Sequence, residues 1–253
     1  EIQLGDWSSD VCSSDLCFAE LLLGFLFFRS GIEAIKMNKN DIDYRVYLCT
    51  DRGVLAKAAG KSADSVGPED LYEAVCLAVA GGVGIVQVRE KDAAAKDFLD
   101  IVMRLKDIGV PVIVNDRVDI AMLTDADGVH LGQKDLPADR VRELIGPEKI
   151  IGVSAATVEE AIAAEKTSAD YIGCGALFPT ATKEGTRPVS RDLLKEICAS
   201  VDIPVVGIGG INRDNVMKLA GTGIAGVAVV SAVMGAEDIK KEAADMYEAG
   251  GLL

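Results

Sequence analysis

Gln87, Arg89 and Lys91 stand two residues apart in the run VQVREK. On an extended strand that spacing places all three on one face and Val86 and Val88 on the other. An inward Arg and Lys need an anion to offset their desolvation. Glu90 points the opposite way and cannot pair both, so the triplet reads as an oligophosphate site rather than a solvated strand end. Asn115, Asp116 and Asp135 follow the next two apolar runs. Beside a phosphate they suit Mg2+, which takes one or two carboxylates and completes its shell with phosphate oxygens and water. The competing reading is a set of Asx turns. Gly207-Ile208-Gly209-Gly210-Ile211 and Val230-Ser231 follow two later runs. Glycine admits an anion close to the backbone, and a helix N-terminus offers N–H groups to it. A ligand-free tight turn is the alternative. The segment 179–188 carries Thr180, Thr182, Lys183 and Gly185, and reads equally as a lid or as a solvated loop. His130, the single histidine, lies inside an apolar run and reads as a satisfied core residue.

Those residues are spread over the chain, so the elements between them must bring them together. Apolar runs rich in β-branched residues fall at 46–49, 84–88, 111–114, 128–131, 150–153, 171–175, 204–208 and 226–230. Amphipathic stretches alternate with them at 69–80, 95–108, 118–123, 138–145, 158–167, 191–201, 214–219 and 238–249. The runs do not alternate apolar with polar, which marks strands buried on both faces of a parallel sheet. Eight strand–helix units predict an α/β fold, a (β/α)8 TIM barrel in a single domain, with its chemistry at the C-terminal strand ends. An open doubly wound sheet would want a G-x-G-x-x-G turn between an apolar run and the helix after it, and none stands in such a place. Thr157 with Glu160 predicts a capping box. Pro68 precedes the first turn of its helix, and Asn212 is the expected N-cap of the seventh. The segment 53–67 reads as a helix or a partly mobile insertion.

The 253 residues carry 26 basic and 40 acidic groups, a net charge of −14. That balance argues against nucleic-acid partners and against an anionic membrane surface. It leaves room for a small basic pocket. The single Trp and four of the six Phe lie in the first 28 residues, in a head that is compositionally unlike the rest. Its apolar run at 18–28 is short of the roughly 20 residues that span a bilayer. No Lys or Arg precedes the run, so it lacks the n-region of a signal peptide. GDWSSDVCSSDL resembles a translated sequencing adapter. Residues 1–36 are therefore expected to be a non-native or disordered extension, with Met37 the start and 37–253 the catalytic domain. Without them the chain keeps 24 basic and 34 acidic groups, a net of −10. Cys49, Cys76, Cys174 and Cys198 are widely spaced with no C-x-x-C, which predicts buried, reduced thiols in a cytoplasmic protein.

Taken together, YLCTDR, VQVREK, VNDRVDIA, GVHLGQKDLP, IIGVSA, YIGCGALFPTATK, VVGIGGI and VAVVSAVM resemble thiamine-phosphate synthase, over residues 45–235. Each motif alone is weak, but eight in order are specific. The resemblance implies a Mg2+-dependent transferase that joins a hydroxymethylpyrimidine diphosphate to a thiazole phosphate and releases pyrophosphate. It assigns Gln87, Arg89, Lys91, Asn115, Ser154 and Lys183 to the pyrimidine diphosphate. Thr180, Thr182, Gly210, Val230 and Ser231 fall to the thiazole phosphate, and Asp116 and Asp135 to Mg2+. Arg89, Lys91 and Lys183 carry the catalytic charge in a dissociative mechanism, which needs no nucleophile from the protein. The partners implied are the two small-molecule substrates, with no nucleic acid and no membrane; a homo-oligomer is compatible with this class. A sister thiazole tautomerase would want a histidine where this chain reads Ser154-Ala155-Ala156. A sugar-phosphate epimerase would want paired acid–base carboxylates or metal-binding histidines. A non-catalytic thiazole-phosphate binding protein would have no need of the charged set.

Overall fold

The computed structural model describes residues 39–62, 65–90, 93–180 and 187–253. Residues Lys39–Leu253 form one compact unit. Its centre is a closed barrel of eight parallel strands, each paired with its neighbours in chain order and the last with the first. The strands are β1 (Val46–Cys49), β2 (Ile85–Val88), β3 (Val112–Asn115), β4 (Gly128–Leu131), β5 (Ile150–Ala155), β6 (Tyr171–Cys174), β7 (Val205–Ile208) and β8 (Gly226–Val229). The predicted TIM barrel is thus the observed architecture, and the strand bounds agree with the apolar runs to within two residues at each end.

The side-chain period of two divides every strand between two environments. Val46 and Leu48, Val86 and Val88, and Val112 and Val114 join the large core between the strands and the surrounding helices. Tyr47, Ile85, Ile113, Ile150, Tyr171, Val206 and Ala228 form a second cluster inside the barrel. The inward positions further along the same strands are Gln87, Asn115, His130 and Ser154. The interior therefore runs from apolar to polar in the direction of the strands, and the polar end faces the βα loops.

Helices occupy Arg52–Ala58, Pro68–Ala80, Ala95–Leu105, Val118–Thr124, Ala138–Ile145, Val158–Lys166, Arg191–Ala199, Ser231–Met234 and Ile239–Gly250. The doubtful segment after β1 begins as a helix because the Asp51 carboxylate caps it, accepting from the Val54 N–H at 3.1 Å. Pro68 takes the first helical position, where its missing N–H costs nothing. The box at Thr157 closes differently from expectation. The Thr157 hydroxyl accepts from Glu160 N, but the Glu160 carboxylate accepts from Ala156 N and pairs with Arg187.

The predicted seventh helix is a correction: only a 3-10 turn, Val216–Leu219, forms there. Asn212 is not its N-cap. The Asn212 side chain accepts from Asp214 N, a local turn that competes with helix, and Asn215 donates to the Gly210 carbonyl. Gly221 and Gly223, both at positive φ, then end the segment. Among the described residues no helix is long and apolar enough to cross a membrane. Cys49 and Cys174 are buried, and Cys76 and Cys198 half-buried. Burial pushes the Cys174 thiol up to about 12, which makes it inert at neutral pH.

Candidate active site

The polar end of the barrel opens into a cavity of about 780 Å3. Ten of the thirteen residues singled out from the sequence line it: Gln87, Arg89, Asn115, Asp116, Asp135, Ser154, Thr180, Gly210, Val230 and Ser231. Lys91, Thr182 and Lys183 lie outside the described residues, as does the rest of the loop 181–186.

Arg89 continues the inward face of β2 beyond Gln87. Its backbone N–H donates to Thr50 Oγ1 at 3.1 Å, which fixes the strand end. Its guanidinium is 13% exposed and lies 3.5 Å from Asp51 Oδ2. That carboxylate also caps the first helix, so one residue both starts the helix and orients the arginine. Glu90, on the other face, is 8% exposed and pairs with Arg52 at 2.6 Å. Burial pushes the Glu90 carboxyl up, and Arg52 opposes the shift without cancelling it. The sequence reading correctly kept Glu90 from Arg89, but it missed that Asp51 would stand beside the guanidinium.

Asp116 adopts φ 61°, and its N–H donates to the His130 carbonyl at 2.9 Å. This left-handed residue turns the chain at the end of β3 and sets its side chain against the cavity. Asp135 Oδ2 accepts from Gly132 N at 2.7 Å, which holds the loop after β4 in a tight turn. Both Asx-type hydrogen bonding and a cavity-facing carboxylate are thus true of Asp135. Among the described residues no group of three or more His, Cys, Asp or Glu is disposed around a common metal position. Two hard carboxylates in one cavity suit Mg2+, which keeps water and phosphate oxygens for the remainder of its shell.

Across the cavity, Gly209 and Gly210 have φ 100° and 64°. A Cβ at Gly210 would sit 2.4 Å from the Pro179 carbonyl oxygen, so the loop after β7 packs directly on the loop after β6. Ser231 opens the short helix after β8. Leu177 N and Phe178 N donate to the Ile208 and Gly209 carbonyls and tie the loop bearing Thr180 to this wall.

The model of the family described as thiamine monophosphate synthase matches residues 59–233. A thiamine-phosphate synthase of Ruminiclostridium cellulolyticum is 49% identical over 214 residues, 83% of this chain and 97% of that protein. The chain belongs to the thiamine-phosphate synthase family. A second relative of that name, from Clostridium acetobutylicum, is 45% identical over 212 residues, covering 82% of this chain and 95% of its own. Among solved structures, a thiamine phosphate pyrophosphorylase from Pyrococcus furiosus superposes with TM-score 0.72 at 37% identity, covering 83% of this chain and 96% of that one.

For a thiamine-phosphate synthase, the cavity holds more than the residues read from the sequence. Tyr47, Tyr171 and His130 form its floor. His130 is satisfied, as expected, with Nδ1 at 2.9 Å from Tyr171 Oη and Nε2 at 2.9 Å from Ser154 Oγ. It also faces the cavity, which its place inside an apolar run did not disclose. The one available signal was the pair of glycines, Gly152 and Gly173, that leave room for these rings.

Proposed function

We propose that this cavity joins a pyrimidine diphosphate to a thiazole phosphate, giving thiamine phosphate and pyrophosphate by a dissociative route. The observation that carries the reading is one cavity with two opposed anion-fit walls: Arg89 with Asp116 and Asp135 on one, Gly210 with Ser231 on the other. A diphosphate held by the first wall and a monophosphate held by the second place the two reacting heterocycles between them.

Gln87, Asn115 and Ser154 bind the pyrimidine diphosphate, and the charge on its phosphates is assigned to Arg89, Lys91 and Lys183. The bond between the pyrimidine methylene and the diphosphate oxygen breaks, and its electron pair leaves with pyrophosphate. Arg89 then meets the charge where it develops, from a position that Asp51 has already oriented. Thr180, Thr182, Gly210, Val230 and Ser231 hold the thiazole phosphate, so that the ring nitrogen forms the new bond to the methylene carbon. No nucleophile or strong base is required of the protein. Asp116 and Asp135 would hold Mg2+, which when bound neutralises charge on the diphosphate. Exclusion of water from the pyrimidine cation is a role assigned to the segment 179–188 from its sequence.

Chelation separates this reading from an isomerase on the same barrel. EDTA should stop pyrophosphate release, and added Mg2+ should restore it. Metal-independent isomerisation of the thiazole with no pyrophosphate would assign the chain to the tautomerase chemistry instead. Catalysis is assigned to residues 37–253, so a chain beginning at Met37 should keep full activity. A loss there would show that the head contributes. Free thiols at Cys76, Cys174 and Cys198 support a reducing compartment, the cytoplasm.

A further inference from the structure

A continuous hydrogen-bond chain crosses the barrel floor. Gln87 Nε2 donates to Tyr47 Oη at 2.9 Å. Tyr47 Oη lies 2.7 Å from Tyr171 Oη, Tyr171 Oη 2.9 Å from His130 Nδ1, and His130 Nε2 2.9 Å from Ser154 Oγ. We propose that Tyr171 and His130 are positioning residues, which fix the Ser154 hydroxyl as a hydrogen-bond donor into the cavity. The proposal rests on the reading above, in which Ser154 and Gln87 bind the pyrimidine diphosphate.

The direction follows from counting protons. Tyr47 Oη accepts from Gln87, so its own hydrogen goes to Tyr171. Tyr171 has one hydrogen and passes it to His130 Nδ1. An imidazole that accepts at Nδ1 carries its hydrogen on Nε2 and donates it to Ser154 Oγ. Ser154 is left with its own hydrogen, and it lines the cavity. The chain ends as a donor at Ser154 and leaves the Gln87 carbonyl oxygen as an acceptor at the other end. An aminopyrimidine presents the complementary pair, amino hydrogens and ring-nitrogen lone pairs.

The fold makes room for this chain at specific cost. In register, His130 faces Gly152 and Gly152 faces Tyr171, so the histidine and tyrosine meet across an intervening strand. A Cβ at Gly152 would lie 2.1 Å from Tyr171 Cζ, and one at Gly173 3.0 Å from His130 Cε1. Glycine inside a strand weakens it, and here it marks a close approach. Tyr47 and Tyr171 are 1% and 0% exposed, so no solvent can replace a missing partner. Burial pushes both phenols well above their ordinary range, so each keeps its hydrogen.

The test is a double-mutant cycle of Tyr171→Phe and Ser154→Ala, read by pyrophosphate release at varied pyrimidine diphosphate, with melting temperatures for each variant. Tyr171→Phe keeps the ring and removes the link. It should lower kcat/KM for the pyrimidine diphosphate about tenfold, the scale of one buried hydrogen bond, and leave KM for the thiazole phosphate unchanged. In the Ser154→Ala background the same change should cost less than about twofold, because its route of action is gone. Equal losses in both backgrounds would overturn the proposal, since a structural role acts regardless of Ser154. Should Tyr171→Phe fail to fold, Tyr47→Phe breaks the same chain one link earlier and is read by the same cycle. Wild-type protein that releases no pyrophosphate would refute the functional reading itself; an active wild type with additive variants would refute this inference alone.

Discussion

Arg89→Ala separates catalytic charge from structural charge. The guanidinium is 13% exposed and its only ion-pair partner among the described residues, Asp51, is 3.5 Å away and 24% exposed. A partly exposed pair at that long separation, with no direct hydrogen bond, contributes about 1 kcal/mol to folding. Asp51 also keeps its cap contact to Val54 N after the substitution, so it is not left without a partner. The stability loss should be about 1 kcal/mol, a melting shift of roughly 2–4 °C for a domain of this size. Toward the diphosphate the balance is different. A unit charge about 4 Å from a developing charge is worth about 4 kcal/mol at an effective dielectric constant near 20. Water entering the vacated space recovers part of that, which leaves a loss of about 10²- to 10³-fold in kcat. The assay is pyrophosphate release at saturating thiazole phosphate, beside a thermal melt of the same preparation. A variant that melts several degrees lower but turns over normally would refute the phosphate role of Arg89.

Glu90→Gln should change how stability depends on pH. Burial raises the Glu90 carboxyl above its ordinary 4.5, so the folded state holds the proton more tightly than the unfolded chain. The sign follows by linkage: relative to the Gln variant, wild type loses stability as pH rises from about 4.5 through the raised value. Melting curves of the two proteins that stay parallel from pH 4 to 7 would contradict this. Gly152→Ala places a methyl 2.1 Å from Tyr171 Cζ and should destabilise by about 3 kcal/mol or more, with loss of activity; a variant with unchanged melting would show that the floor can relax. Thr157→Ala removes the cap contact to Glu160 N and should cost about 1 kcal/mol with activity intact, measured by denaturant titration.

The barrel was legible because its strands are short, β-branched and uninterrupted by polar alternation, as Val46–Cys49 and Val205–Ile208 illustrate. The mouth residues were legible for a related reason: in a parallel barrel each polar residue after such a run falls at the same end. Contacts that depend on register were not. The meeting of His130 with Tyr171 requires that a glycine occupy the matching position of the strand between them. The Asp51–Arg89 pair spans the ends of two neighbouring strands, 38 residues apart in sequence. The seventh helix failed where polar side chains of Asn212 and Asn215 bind nearby backbone in place of the helical pattern, a competition that periodicity does not weigh.

The central claim is that one cavity couples the two heterocycles. Incubation of the protein with the pyrimidine diphosphate, the thiazole phosphate and Mg2+ should yield thiamine phosphate and pyrophosphate in equal amounts, with no thiamine phosphate when either substrate is withheld. Folded protein that forms no thiamine phosphate from the complete mixture would contradict the account.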